Sequence, residues 1–357
     1  MFVAWRLARS RGNISFYRIF IPSKLEGILS GEWHTKTSTP CLEDYMPTRL
    51  VGKAGVQIPL LGLGCAPLAN YFNDLPEQQV EDLICYSFEK GASFYDTAPQ
   101  YGYGLSEKRI GQALYNVPRD AYTLATKVGR IVDGEKKVKV DYTRDGILRS
   151  LDESLTRLKL GRIDIAHIHD PDTHFREALD MAFPVLAELR SQGVIRAIGA
   201  GMNQWQMLLE FARSADFDCF MLAGRYTLLE QKSLPLLDYC KQNGIAIFLG
   251  GVYNTGILAT GAIPGARYNY HLASETILDR VRRIEVVCQK YAIPLRAAAL
   301  QFPVAHSAVT SLVIGAESRE EFAQAFDGLC IPIPGEFWQD LHDAGLIDEK
   351  APVPKNR

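Results

Sequence analysis

Short β-branched or apolar runs alternate with longer stretches in which apolar residues recur at helical spacing, and the alternation repeats eight times between residues 60 and 314. The runs predict strands at Leu60–Gly64, Ser93–Asp96, Tyr122–Lys127, Ile163–His169, Ala197–Ala200, Cys219–Ala223, Ala246–Gly250 and Ser311–Ile314. Between them the spacing predicts helices at Glu77–Lys90, Leu105–Leu114, Thr143–Leu158, His174–Gln192, Gln204–Arg213 and Leu234–Asn243, then a pair, Glu275–Tyr291 and Leu295–His306. Several helices run into a glycine stop, as at Lys90-Gly91, Gln192-Gly193 and Asn243-Gly244, where a left-handed cap meets no Cβ clash. A hairpin precedes the first strand, from Arg49–Val51 through a turn at Gly52–Gly55 and back along Val56–Pro59. Eight strand-helix units favour a (β/α)8 TIM barrel over an open sheet, here with an N-terminal β-hairpin and a C-terminal helical extension.

The repeat divides the chain into an N-terminal extension (1–46), a barrel (47–333) and a C-terminal helix and tail (334–357). A length of 357 residues suits one barrel, and no linker-like stretch interrupts the pattern. The extension carries Arg6, Arg9, Arg11 and Arg18 but no acid before Glu26. That bias suits an organelle presequence, mitochondrial for example, or equally an upstream extension, disordered or extraneous, that leaves the barrel unchanged. Otherwise a cytoplasmic enzyme, monomeric or weakly self-associating, is expected.

Charge and cysteine usage narrow the function. A net charge of −2 gives no broad basic face for nucleic acid. No run of about twenty apolar residues predicts a membrane span. Seven scattered cysteines without a CxxC pair argue against a zinc site or disulfide framework and for a reducing compartment. Small-molecule chemistry is the expectation.

Three successive strands end on polar groups: Phe94-Tyr95 leads into Asp96 and then Tyr101, Ala125-Thr126 into Lys127, and His167-Ile168 into His169. In a barrel of parallel strands these ends converge on one mouth, the face where barrel enzymes keep their chemistry. A phenol with a pKa near 10 needs a neighbour that stabilises phenolate before it exchanges protons at neutral pH, and Lys127 would supply it. Asp96 would keep that lysine charged. His169 would hydrogen-bond the substrate oxygen. His167 shares its strand face and is not separated from His169 by sequence, although the residue nearer the strand's C-terminal end is the better candidate. Each group alone has a structural alternative, such as a buried ion pair or a core histidine; their joint placement points to catalysis.

From about Arg49 to Phe326 the chain resembles the aldo-keto reductases. The motifs are Phe94-Tyr95-Asp96-Thr97-Ala98-Pro99-Gln100-Tyr101-Gly102, Ser106-Glu107, Ala125-Thr126-Lys127-Val128-Gly129, Ile168-His169-Asp170-Pro171-Asp172 and Val313-Ile314-Gly315-Ala316. The resemblance implies Tyr101 as general acid or base, Lys127 tuning it, Asp96 supporting the lysine, His169 orienting substrate, and NAD or NADP as hydride carrier. His169-Asp170-Pro171-Asp172, Gly199-Ala200-Gly201-Met202-Asn203 and Gly250–Leu258 are similar to the aldose 1-dehydrogenase branch, which implies oxidation of a sugar hemiacetal at C1 to the lactone. Pyridoxal 4-dehydrogenases are similar too, and the alternatives are action on pyridoxal or general aldehyde and ketone reduction. A rival of another kind is a cofactor-binding regulatory subunit like the potassium-channel β subunits of this family.

The cofactor positions that the resemblance implies are Gly64, Gly201, Asn203, Arg225, Gly251, Val252, Asn254, Gly256, Gly315, Ser318, Arg319 and Glu321. Several depart from the family's pattern: Gly201-Met202-Asn203 replaces a serine-asparagine pair, Arg225-Tyr226 replaces glutamine-tyrosine, and the nicotinamide-stacking aromatic is missing near Gly250-Gly251. Gly315 and Glu321 stand where NADP users carry basic residues, with Arg319 nearby, so NAD is the expected preference. Gly62-Leu63-Gly64 resembles a dinucleotide fingerprint, but Pro67 occupies the third glycine position and no acid ends a second strand about twenty residues on, so a Rossmann fold is rejected. For substrate, the loops offer Tyr71, Phe72, Tyr103, Arg130, Asp172 and Tyr253, with Asn203 beside them, to stack a sugar face and bond its hydroxyls; no metal ligand set is predicted. Phe337 and Trp338 would place the C-terminal segment beneath the barrel or over its mouth.

Overall fold

The computed structural model describes residues 46–133 and 137–355, together with two paired strands, Trp5–Ser10 and Asn13–Arg18. The rest of the extension lies outside the described residues.

Eight parallel strands close into a barrel: β1 (Leu61–Gly64), β2 (Phe94–Asp96), β3 (Thr123–Val128), β4 (Ile165–His169), β5 (Ala197–Met202), β6 (Cys219–Ala223), β7 (Ala246–Gly250) and β8 (Val309–Gly315). β8 pairs with β1, with Gly315 opposite Gly64, and shuts the ring. Every residue of β3, β4 and β5 is buried, because a barrel strand faces core on one side and helices on the other. That is why these strands read as apolar runs instead of alternating patterns.

Around the barrel lie α1 (Glu77–Glu89), α2 (Leu105–Ala113), α3 (Arg144–Leu158), α4 (Phe183–Ser191), α5 (Trp205–Ser214), α6 (Leu234–Asn243), α7 (Glu275–Lys290), α8 (Leu295–Val304), α9 (Arg319–Cys330) and α10 (Gly335–Asp343). α6 ends on Gly244 at φ 67, the left-handed stop its sequence predicts. The segment predicted as one helix from His174 to Gln192 is helical from Phe175 to Ser191, with a feature its spacing does not show: one α turn at Phe175–Glu177 widens into a π segment at Ala178–Ala182 before α4 continues it. Pro184, in the first turn of α4, has no N–H to donate and its ring would strike the carbonyl one turn back; the Phe183 amide instead reaches the Ala178 carbonyl, five residues back.

The hairpin Thr48–Val51 and Val56–Pro59 plugs the end of the barrel away from the mouth. Its Val51, Val56 and Ile58 are fully buried and join Phe94, Ala125, Ile165, Ala197, Cys219 and Phe248 in one apolar cluster filling the barrel interior. Gly62 in β1 makes room for this filling, since a Cβ there would lie 2.7 Å from the Phe94 ring. The C-terminal helix packs along the outer helices. Phe337 and Trp338 are buried against the helical wall, Phe337 5.8 Å from Tyr291 and Trp338 6.5 Å from Phe302 by ring centres, and Lys290 and Tyr291 of the preceding helix pair both bond Asp340.

Candidate active site

Strand register brings the polar groups together. Lys127 pairs across to His167, His167 to Gly199, and His169 to Gly201, so a lysine and two histidines on β3 and β4 face a strand that offers only hydrogen atoms. That space is required at Gly199, where a Cβ would lie 2.2 Å from the His167 ring, whereas one on Gly201 would meet Met221 at 3.3 Å and Lys127 Cε at an ordinary 3.8 Å.

Lys127 is buried and donates to Asp96 Oδ1 at 2.6 Å and to the Thr97 carbonyl at 2.8 Å. Burial pushes the ammonium's pKa down, but the Asp96 carboxylate and the Tyr101 phenol together reverse this and hold it above the ordinary lysine value. Burial also raises the Asp96 carboxyl, against which Lys127 pulls; with the partners at hydrogen-bonding distance the pair stays ionised at neutral pH. The lysine ammonium stands 4.7 Å from the centre of the Tyr101 ring. Burial lifts the Tyr101 phenol to about 12, and Lys127 is the largest influence in the opposite direction. Lys127 thus favours the phenolate as its position in sequence predicts, and desolvation outweighs it.

His169 meets Tyr101 edge to face, 6.0 Å between ring centres, and closes the group. Burial, then Lys127, then Arg130 hold its imidazole well below the usual histidine range, so it is neutral at physiological pH. The fold separates it from His167, which lies fully buried one pleat deeper, edge to face with Phe248. Neither nitrogen of His167 has a protein partner.

On the far side of the mouth, glycines pave a surface at the ends of β1, β5, β7 and β8. A Cβ on Gly315 would come 3.0 Å from Pro67, and one on Gly64 3.2 Å from Val313. Beyond β8, Ser318 caps α9 by accepting from the Glu321 amide, and Glu321 returns a carboxylate to the Glu317 amide at 2.8 Å. This reciprocal cap gives Glu321 a structural role beside its expected cofactor role. Arg319 is exposed and stacked on Tyr86 at 4.5 Å. Asn203 donates to the Ala223 carbonyl. Arg225 is tied to Asn269. Val252 is buried, and Asn254 uses both ends of its amide internally, accepting from Thr227 and donating to the Gly224 carbonyl. Gly251 and Gly256 hold left-handed turns in this loop.

The expected substrate residues divide into two groups. Tyr71, Phe72 and Tyr103 are exposed, Phe72 at 75%. Tyr71 bonds the Gln100 carbonyl and meets the Tyr101 ring at 6.3 Å, so this group borders the phenol. Asp172 is exposed in the loop after β4, and Tyr253 is half-buried against the apolar shell. Arg130 instead turns inward to the chain, donating to the His169 and Asp170 carbonyls.

Two supporting residues were missed from the sequence. Arg109 on α2, buried, bonds the Leu68 and Leu75 carbonyls, Asn70 and Glu77, and so fixes the loop that carries Tyr71 and Phe72. Tyr142 donates to the His169 carbonyl at 3.2 Å. No local signal marks either, since both act on partners distant in sequence. Among the described residues there is no cluster of metal-ligating side chains, and no helix is long and apolar enough to cross a membrane.

A buried lysine-carboxylate pair beneath a tyrosine, with a neutral histidine beside it at a barrel mouth, is an arrangement able to transfer a proton. The family model described as Aldo/keto reductase family matches residues 60–345, most of the barrel and its C-terminal helices. The chain belongs to this family. It is accordingly an oxidoreductase, and enzymes of the family use nicotinamide cofactors. Similar proteins include a D-threo-aldose 1-dehydrogenase from a Pseudomonas species, 37% identical over 82% of this chain and 96% of its own length. A pyridoxal 4-dehydrogenase from Microbacterium luteolum is 35% identical over 84% and 97%, and an L-galactose dehydrogenase from Arabidopsis thaliana 28% identical over 76% and 84%. Among solved structures, the holo form of an aldo-keto reductase from Bacillus halodurans superposes with a TM-score of 0.71 at 24% identity, covering 87% of this chain and 99% of that one, which supports the barrel fold.

This aldo-keto reductase's mouth fits a nicotinamide nucleotide. Glycines at the ends of β1, β5, β7 and β8 leave open space for a flat ring at the strand ends.

Proposed function

We propose that this aldo-keto reductase is an aldose 1-dehydrogenase that oxidises a free monosaccharide at C1 to the lactone, with NAD preferred over NADP. The observation that carries the reading is the complete proton-transfer group, Tyr101 over the Lys127–Asp96 pair and beside His169, in a chain 37% identical to a D-threo-aldose 1-dehydrogenase. A regulatory cofactor-binding subunit needs no such group.

When bound, an oxidised nicotinamide supplies the hydride acceptor and a positive ring. The chain's part is to place the sugar and take its proton. Neutral His169 donates a hydrogen bond to the anomeric oxygen, which fixes C1 over the glycine-paved rim. Tyr101 as tyrosinate takes the anomeric hydroxyl proton, and Lys127 stabilises that anion. In the reverse direction the same phenol protonates a carbonyl, so the site serves both directions. Tyr71, Phe72 and Tyr103 offer ring faces for a sugar at the open side, supporting a polyol over a long apolar substrate. The preference for NAD rests on Glu321, an acid at the start of α9 where a 2′-phosphate would be repelled.

The test is the rate of reduced-nicotinamide formation with NAD or NADP against L-fucose, L-galactose, D-arabinose and pyridoxal. Turnover of an aldose, lost about 100-fold or more in Tyr101→Phe while cofactor still binds, is the expected outcome. A wild-type enzyme that oxidises pyridoxal but no sugar would reassign it to the activity of its 35%-identical relative. Near-normal turnover in Tyr101→Phe would remove the phenol from the mechanism.

A further inference from the structure

The residue after His169 adopts a conformation that needs a reason. Asp170 sits at φ 39, in the left-handed region that a residue with a Cβ enters at a cost, although aspartate tolerates it better than most. The surrounding structure enforces it. The Asp170 amide donates to the Gly201 carbonyl at 2.9 Å, Arg130 donates to the Asp170 carbonyl at 3.0 Å and to the His169 carbonyl at 3.3 Å, and Tyr142 adds a second bond to the His169 carbonyl at 3.2 Å. Four hydrogen bonds therefore hold one turn, and none uses the Asp170 carboxylate.

That carboxylate is turned back into the mouth. Its Oδ2 lies 3.7 Å from His169 Nε2 and 3.9 Å from Arg130 Nη2, and the side chain is 36% exposed. Both separations exceed hydrogen-bonding distance, so neither neighbour occupies the carboxylate's lone pairs, and of the two only Arg130 attracts it as a charge. The other charged groups acting on it are Lys127 and Asp172. If His169 holds the reacting oxygen, an acceptor fixed beside the same imidazole faces the next oxygen of a polyol.

We propose that Asp170 is a specificity-determining residue whose carboxylate accepts a hydrogen bond from the hydroxyl adjacent to the reacting carbon, so that the site selects 2-hydroxylated aldoses. The assignment rests on the aldose reading above. It explains why a clamped left-handed turn carries an aspartate where glycine would fit without strain, and it gives Arg130 the task of aiming that carboxylate.

The experiment pairs substrate and enzyme changes. Wild type, Asp170→Asn and Asp170→Gly are assayed for kcat/KM on L-fucose and L-galactose and on the 2-deoxy form of each. Asparagine and glycine both accept the left-handed turn, so all three proteins should melt within a few degrees of one another. Wild type should favour the 2-hydroxylated sugar by about tenfold or more, the size expected for a hydrogen bond to a charged acceptor. The preference should shrink in Asp170→Asn, and Asp170→Gly should treat the paired sugars alike, with the change carried mainly by KM. Equal discrimination in all three proteins, or none in wild type, overturns the assignment alone. A wild type that oxidises none of these sugars overturns the aldose reading and this assignment with it.

Discussion

Replacing His167 by leucine separates the two histidines of β4 and tests the depth ordering of the barrel interior. The imidazole is fully buried, has no protein partner at either nitrogen, and is held at about 3 by burial and secondarily by Lys127, against an ordinary value of 6.5. Because the folded value is depressed, the unfolded chain binds the proton first on acidification. The stability associated with this neutral ring is therefore intact above pH 6.5 and is lost as pH falls towards 3. At pH 5, about 1.5 units below the unfolded value, the loss is about 2 kcal/mol, at about 1.4 kcal/mol per unit. His169 and His306 are also depressed, but they are present in both proteins and cancel in the comparison. Leucine has similar bulk and no nitrogen to desolvate, so His167→Leu should be neutral to stabilising by up to about 3 kcal/mol at pH 7.5. Urea unfolding at pH 7.5 and 5.0 should show the variant losing about 2 kcal/mol less than wild type between the two. Turnover should survive, since His169 and not His167 borders Tyr101. An unchanged pH dependence, or abolished turnover in a folded variant, would refute the assignment of His167 as barrel filling.

The other predictions concern the ion pair and the cofactor end. Lys127→Met leaves the Asp96 carboxylate buried without its cation and removes the largest influence lowering the Tyr101 phenol. It should cost about 3–5 kcal/mol of stability and move the pH optimum for oxidation upward, so an unshifted pH–rate profile would count against the lysine as the tuning group. Glu321→Arg removes the carboxylate that closes the α9 cap, which should cost about 0.5–2 kcal/mol in thermal or urea unfolding. The same change should raise kcat/KM with NADP relative to NAD, and a constant ratio would place Glu321 away from the ribose.

How much could be read in advance depended on whether a feature is local. Strand existence was legible because each barrel strand is buried on both faces, and Thr123–Val128 or Ile165–His169 has little choice but to read as an apolar run with its polar group at the exit. The family motifs gave Asp96, Tyr101, Lys127 and His169 together, and register does the rest by setting Lys127 against His167 and His169 against Gly201. The extent of the helix after β4 was legible, but apolar spacing does not register the π segment inside it, for which Pro184 was the visible sign.

The site's supporting residues were hidden for a different reason. Arg130 reads as a substrate contact because it follows the third strand's exit, and what the sequence does not show is that its guanidinium also bonds the carbonyls of His169 and Asp170, about forty residues away. Asp170 is marked by nothing local beyond following His169, since its positive φ and clamped turn exist only once β3, β4 and β5 are assembled. In this barrel the groups that exchange protons sit on strand ends and can be named from sequence, while those that aim them act across strands. On the reading proposed above, substrate choice belongs to the second set: the proton-transfer group is indifferent to which sugar is oxidised, and the carboxylate held 3.7 Å from the His169 ring is the group placed to discriminate.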